Sequence, residues 1–67
     1  MDRHFWFEET ISGEEFIVGA ESLTVALGIA EGIGADIGNQ YNDDEYEIEF
    51  WGELTDEEAE ASGLDEY

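Results

Sequence analysis

The sequence has no cysteine and no proline, and Arg3 is its only lysine or arginine. Without cysteine the chain can form neither disulfides nor thiolate metal sites, and its one histidine, His4, cannot supply a histidine-rich metal cluster. Without a basic patch it has no electrostatic means of binding the phosphates of nucleic acid directly. We therefore expect no metal, no cofactor and no direct contact with DNA or RNA.

The chain also lacks the pattern of a secretion signal or a membrane segment. No basic region followed by an apolar run stands at the N-terminus. The weakly polar stretch 22–38 contains Glu31, Asp36 and several glycines, which is too polar to span a bilayer. Anionic lipid surfaces would repel so acidic a chain. We expect a soluble, cytoplasmic protein.

Acidic residues are what the chain has in abundance: Asp and Glu account for 20 of its 67 residues, and the net charge is −19 at pH 7. A compact chain of this length has a diameter of roughly 28 Å. Duplex DNA carries about 16 phosphate charges over that length, at one per ~1.7 Å. The match in charge and size favours a basic nucleic-acid-binding protein as the partner. The alternative is a solvated acidic surface that only keeps the protein soluble.

The apolar content predicts a folded chain rather than a disordered one. Hydrophobic residues make up 42% of the sequence and aromatic residues 13%, so residues 1–67 should form one compact domain. The alternating segment 3–11 predicts a strand, Ser12-Gly13 a two-residue turn, and segment 14–20 the returning strand. Such a turn places Phe7 opposite Val18.

A helix should follow from Leu23, because Ser22 is a good N-cap and apolar residues then recur every three or four positions. We expect it to end at Gly38, or to break near Gly32–Gly34. Segment 46–52 alternates again and predicts the third strand.

The segment after the third strand carries a capping box, in which Thr55 is followed three residues later by Glu58. It predicts a short helix that ends near Ser62, with Gly63 as its stop.

The predicted element order is therefore β–β–α–β–α. A right-handed crossover through the main helix makes the third strand parallel to the second strand. The third strand is then antiparallel to the first strand and can pair beside it. The expected fold is an α+β, two-layer domain. It has a three-stranded antiparallel sheet of order 2-1-3, one main helix and a short C-terminal helix. The main helix should cover the face of Phe5, Phe7, Phe16, Val18, Ile48 and Phe50. Residues 64–67 should be the loosest.

The opposite face of the sheet is the best candidate site, because Trp6, Ile17 and Trp51 lie there among acids. Acids also concentrate toward the C-terminus. We predict that the partner contacts Glu8, Glu15, Asp43, Asp44, Glu45, Glu47, Glu49, Glu53, Asp56, Glu57, Glu58, Trp6 and Trp51. Two alternatives stay open for the tryptophans: the C-terminal helix folds over them, or the face forms a homodimer.

No pattern of residues predicts catalysis. There is no phosphate-binding loop, and Ser12, Ser22 and Ser62 have no evident base beside them. Pairs of carboxylates are unavoidable when 20 residues are acidic, so they carry no specific signal. We expect a protein that is not an enzyme.

In its small size, extreme acidity, lack of cysteine and compact α/β layout, the chain resembles the DNA-mimic inhibitors of phages and mobile elements. The anti-CRISPR and anti-restriction proteins are the nearest groups. The resemblance lies in the composition and layout of the whole chain and includes no family motif. It implies an inhibitor, most of all an anti-CRISPR, that occupies the DNA site of a defence complex in the host cytoplasm. A salt-adapted halophile protein and an adaptor that docks through its tryptophans are the alternatives.

Overall fold

A computed structural model describes residues 2–67, which form three strands and two helices. The elements are β1 (Arg3–Glu9), β2 (Glu14–Ala20), α1 (Leu23–Tyr41), β3 (Ile48–Leu54) and α2 (Asp56–Ser62). The strands make one antiparallel sheet in the order β2-β1-β3. The predicted fold class, element order and strand order are confirmed.

The β1–β2 hairpin has a longer turn than predicted, and its predicted register is wrong by two residues. Phe7 pairs with Phe16 rather than with Val18, and residues 10–13 make the turn between Glu9 and Glu14. The Glu9 carboxylate accepts hydrogen bonds from backbone N–H groups within this turn and so holds the longer loop. A shift of two residues leaves every side chain on its predicted face.

Helix α1 begins as predicted and runs unbroken past both expected stops. The Ser22 side chain accepts a hydrogen bond from the Val25 N–H, at 3.4 Å. Gly38 is buried inside the helix, and a Cβ on it would lie 2.6 Å from the Glu45 carbonyl oxygen. This glycine serves close packing of the following loop rather than helix termination. The helix ends instead at Asn42, whose N–H bonds to the Gly38 carbonyl.

The hydrophobic core lies between α1 and one face of the sheet. Phe5, Phe7, Phe16 and Val18 are buried there against alanines of α1 and Ile37, and Ile48 packs at the margin. Phe50, predicted to be covered, is 41% exposed, because β3 lies at the sheet edge, where α1 makes few contacts. Its ring still packs on Phe7, with centroids 5.4 Å apart.

Helix α2 lies on the opposite side of the sheet, and the C-terminal residues follow the outer edge of β2. The Thr55–Glu58 capping box is formed as predicted, and Gly63 ends the helix with φ of 71°. Residues 65–67, for which we expected the least order, bond to the outer edge of β2: the Ile17 N–H donates to the Asp65 carbonyl and its carbonyl accepts from Tyr67. Ile17, predicted to lie on an open face, is fully buried.

Candidate partner-binding face

The sheet face opposite α1 gathers the two tryptophans and a set of glutamates. We call it the tryptophan face and define it by Trp6, Glu8, Glu15, Glu49 and Trp51. Helix α2 covers one end of it and leaves the rest accessible. Trp6 is half-buried, while Trp51 is 50% exposed. The structure therefore lies between two of the predictions: Trp6 is partly covered, and Trp51 is open to solvent.

A row of three glutamates crosses the sheet on this face. Glu8 on β1 lies directly opposite Glu15 on β2 and directly opposite Glu49 on β3. Side chains in such positions have Cβ atoms about 4.5–5.5 Å apart, and like charges there are destabilising. The predicted register set Glu8 opposite Ile17, so sequence reasoning placed these acids on one face but missed their alignment.

Within residues 2–67 no cation bonds to this row. The Arg3 guanidinium pairs with Glu53, at 2.6 Å. The His4 ring pairs with Asp56 and Glu66. The glutamate row is therefore a concentration of negative charge that the described part of the chain leaves without a positive partner.

The two tryptophans lie side by side next to the row and hydrogen-bond to it. Their rings pack against each other at an angle of 32°, with centroids 5.8 Å apart. The Trp6 indole N–H donates to Glu15, at 3.0 Å, and the Trp51 indole N–H donates to Glu8, at 3.1 Å. These bonds orient two carboxylates without neutralising them.

A β-bulge sets the position of Trp51. Trp6 pairs with Gly52 and Phe7 pairs with Phe50, so Trp51 is the extra residue on β3. Gly52 has φ of 149°, a conformation that glycine adopts without strain. The bulge brings Trp51 beside Trp6 on the tryptophan face. Alternation along the strand predicts the same face, because Trp51 follows Phe50, which lies on the core face.

Three further acids of the predicted site have partners inside the protein. Glu53 bonds to Arg3, and this contact lowers the pKa of Glu53. The Glu58 carboxylate accepts the Thr55 N–H as part of the capping box. Asp56 accepts a hydrogen bond from His4. Their charge remains at the surface, but part of their bonding capacity is used.

The other predicted acids are exposed and lie in three places. Glu57 lies on the first turn of α2, and Glu47 precedes β3. Asp43, Asp44 and Glu45 belong to the loop that packs on the end of α1, so the structure does not place them on the tryptophan face.

His4 connects α2 and the C-terminal tail to β1, a role that sequence reasoning did not predict. Its Nδ1 lies 2.5 Å from a Glu66 oxygen and its Nε2 lies 2.6 Å from an Asp56 oxygen. Only the imidazolium has a proton on both nitrogens to donate. The hydrogen bonds to Glu66 and then Asp56 raise the pKa of His4.

Glu9, the neighbour of Glu8 on the core face, is the one fully buried acid. Its carboxylate accepts N–H hydrogen bonds from Ile11, Ser12, Asn42 and Glu47, at 2.7–3.1 Å. Burial alone would raise the pKa of Glu9. The backbone N–H groups of Glu47, Ser12 and Ile11 outweigh that effect and lower the pKa to about 2. This residue anchors the structure and offers nothing to a partner.

The described residues contain no group of three or more His, Asp or Glu side chains placed to hold a metal ion. Neither of the two helices between residues 2 and 67 has the length and apolar character that crossing a membrane requires. Comparisons of the chain with protein-family models, with curated proteins and with solved structures found no match. The tryptophan face and the charge around it are the features that point to a function.

Proposed function

We propose that the protein is a DNA-mimic inhibitor, which blocks the nucleic-acid-binding site of a host defence complex, with an anti-CRISPR role the most specific form of the proposal. The negative charge density of the molecule supports this proposal. The molecule is 35 Å long and carries a net charge of −19. A duplex of that length carries about 20 phosphate charges. All acids except Glu8 and Glu9 are exposed, so a basic groove would meet a comparable field.

Inhibition by this route requires occupation and no chemistry. Exposed carboxylates of the tryptophan face and of α2 take the positions of phosphates and release the counterions of the basic groove. Trp6 and Trp51 add apolar contact, which is typical of the centre of a protein interface. Affinity should therefore fall steeply as the salt concentration rises.

The half-exposed Trp51 supports a second candidate, an adaptor that docks a protein through the tryptophan face without mimicking DNA. Apolar contact of this kind depends little on salt. A salt-adapted protein is the third interpretation, and it requires that the chain fold only at molar salt. The three proposals therefore predict different responses to salt.

The first experiment is affinity capture by the tagged protein from a host lysate at about 0.1 M and then about 0.5 M salt, with excess duplex DNA as competitor. Mimicry predicts capture of a nucleic-acid-binding complex at the lower salt, release by DNA, and loss of DNA binding by the purified complex. Capture that survives both salt and DNA would support the adaptor. Absence of any capture, together with unfolding at low salt, would support salt adaptation.

Charge-reversal variants test which surface binds. Glu49→Lys with Glu57→Lys changes the tryptophan face and α2, whereas Glu21→Lys with Asp36→Lys makes the same change in net charge on the α1 side. We expect the first pair to abolish inhibition and the second to weaken it only modestly. Equal effects of the two pairs would contradict the assigned surface. Asp56 and Glu58 are left unchanged because both bond within the protein.

A further inference from the structure

We infer that the cleft between the tryptophan face and α2 receives one arginine side chain of the partner. The inference rests on the proposed function only in taking the partner to be a basic protein. The cleft would thus add one specific contact to the general electrostatic attraction between the acidic surface and a basic partner.

The cleft has a volume of about 390 Å³ and is lined by Trp6, Glu15, Leu54, Glu58, Ser62 and Leu64. Its walls are of two kinds. Trp6, Leu54 and Leu64 supply apolar surface, and Glu15 and Glu58 supply carboxylates. A cavity of this size with a few polar groups on apolar walls is typical of a site for a small ligand group.

Both carboxylates keep an oxygen available to a ligand. Glu15 Oε1 accepts the Trp6 indole N–H, and Glu58 Oε1 accepts the Thr55 N–H. Within residues 2–67, the other oxygen of each carboxylate accepts no hydrogen bond from a side chain. The internal bonds hold the two side chains in place, so a cationic ligand meets acceptors that are already oriented.

The chemistry of the walls selects arginine. A guanidinium is planar, stacks on aromatic rings, carries five N–H donors and is more weakly hydrated than an ammonium group. It can contact Trp6 while donating to Glu15 and Glu58, and charge-assisted bonds of this kind are the strong ones. The chain cannot fill the cleft itself, because Arg3, its only arginine, bonds to Glu53.

The probe is the capped peptide acetyl-Gly-Arg-Gly-amide, compared with the same peptide carrying citrulline, a neutral shape analogue of arginine. Binding is followed by NMR through the Trp6 indole N–H and the backbone amides of Ser62 and Leu64. We expect saturable shifts of these signals with the arginine peptide and none with the citrulline peptide. Equal shifts with both peptides, or no shift with either, would overturn the inference.

Matched variants separate the cleft from the general field of the protein. Glu15→Gln with Glu58→Gln removes both cleft charges and keeps both internal hydrogen bonds, because a glutamine oxygen accepts from Trp6 and also completes a capping box. Glu14→Gln with Glu60→Gln removes two exposed charges outside the cleft. We expect the cleft pair to weaken the peptide about tenfold and the control pair to change its affinity less than about twofold. Equal weakening by the two pairs would contradict a cleft site.

These outcomes are independent of the defence complex. Arginine-peptide binding at the cleft without any DNA-displaceable target would reject mimicry and keep the cleft. A DNA-displaceable target whose capture is insensitive to the cleft pair, together with a peptide that does not bind, would keep mimicry and reject the cleft.

Discussion

Glu8 and Glu9 are adjacent in β1 and lie on opposite faces of the sheet in opposite environments. Glu9 is buried and accepts N–H groups of four residues. Glu8 stands between two other glutamates and accepts one indole N–H. The fold can stabilise a carboxylate without any cation, and it does so on the core face. On the tryptophan face it leaves a row of three aligned glutamates, whose mutual repulsion lowers stability.

The largest change in stability should come from Glu9→Gln. A glutamine side chain has only one acceptor oxygen, and its NH₂ group would face backbone N–H groups that donate to the carboxylate in the wild type. Some of these N–H groups would lose their acceptor. We expect it to lower the free energy of unfolding by about 3 kcal/mol, measured by urea denaturation at neutral pH. Glu8→Gln is the control and should not destabilise the protein. A Glu9 variant as stable as the control would show that the N–H cluster is not an anchor.

Acid titration should show the same anchor through its pKa. The pKa of Glu9 is about 2 in the folded protein, against an ordinary value of 4.5. Its contribution is therefore complete above the ordinary value and is lost as pH falls toward the folded value. The stability difference between the wild type and Glu9→Gln should shrink over that range. Taking the difference between the two proteins at each pH cancels the repulsion among the other acids, because both proteins contain those acids. A difference that stays constant would contradict the lowered pKa.

Two glycines of α1 should respond in opposite directions to alanine. A Cβ at Gly38 meets the Glu45 carbonyl at 2.6 Å, whereas one at Gly28 meets nothing within 4 Å. We expect Gly38→Ala to cost about 2 kcal/mol by overpacking the loop on the core side. Gly28→Ala should add about 0.5–1 kcal/mol from helix propensity. Thermal denaturation measures both, and an unchanged melting temperature for Gly38→Ala would mean that the loop yields freely.

His4 should make the α2 side of the sheet sensitive to alkaline pH. Its pKa is raised above the ordinary 6.5 by Glu66 and Asp56. The stabilisation is therefore full below that ordinary value and is lost as pH rises through the folded value. We expect a loss of about 1 kcal/mol in the wild type and a flat profile in His4→Gln. Parallel profiles would assign the pH dependence to other groups.

The smallest effect should come from the glutamate row. Glu8→Gln keeps an acceptor for the Trp51 N–H and removes the middle charge. We expect a gain of about 0.5 kcal/mol at low salt that disappears at high salt. Asp36→Asn, an exposed change on α1, should gain less. Equal gains would mean that the row has no repulsion beyond that of the whole molecule.

Local patterns predicted most of the fold. Alternation marks all three strands, Ser22 marks the start of α1, and the Thr55–Glu58 capping box marks α2. Each of these signals acts within a few residues of the chain. The composition of the candidate face was predictable for the same reason, because alternation assigns Trp6, Glu8 and Glu15 to one side.

By itself, therefore, the sequence determined the element types, their order, the strand order and the excess of negative charge. The hairpin register, the end of α1 and the alignment of the glutamate row depend on contacts that form in the folded protein. The physical reason is sequence distance: Glu9 accepts nearby N–H groups of Ile11 and Ser12 within the turn, but its buried carboxylate also depends on donors far outside that turn. The Glu9 donors Asn42 and Glu47 lie 33 and 38 residues away, and the His4 partners lie 52 and 62 residues away. No local pattern contains such pairs; they form only when the packed chain brings donors and acceptors together.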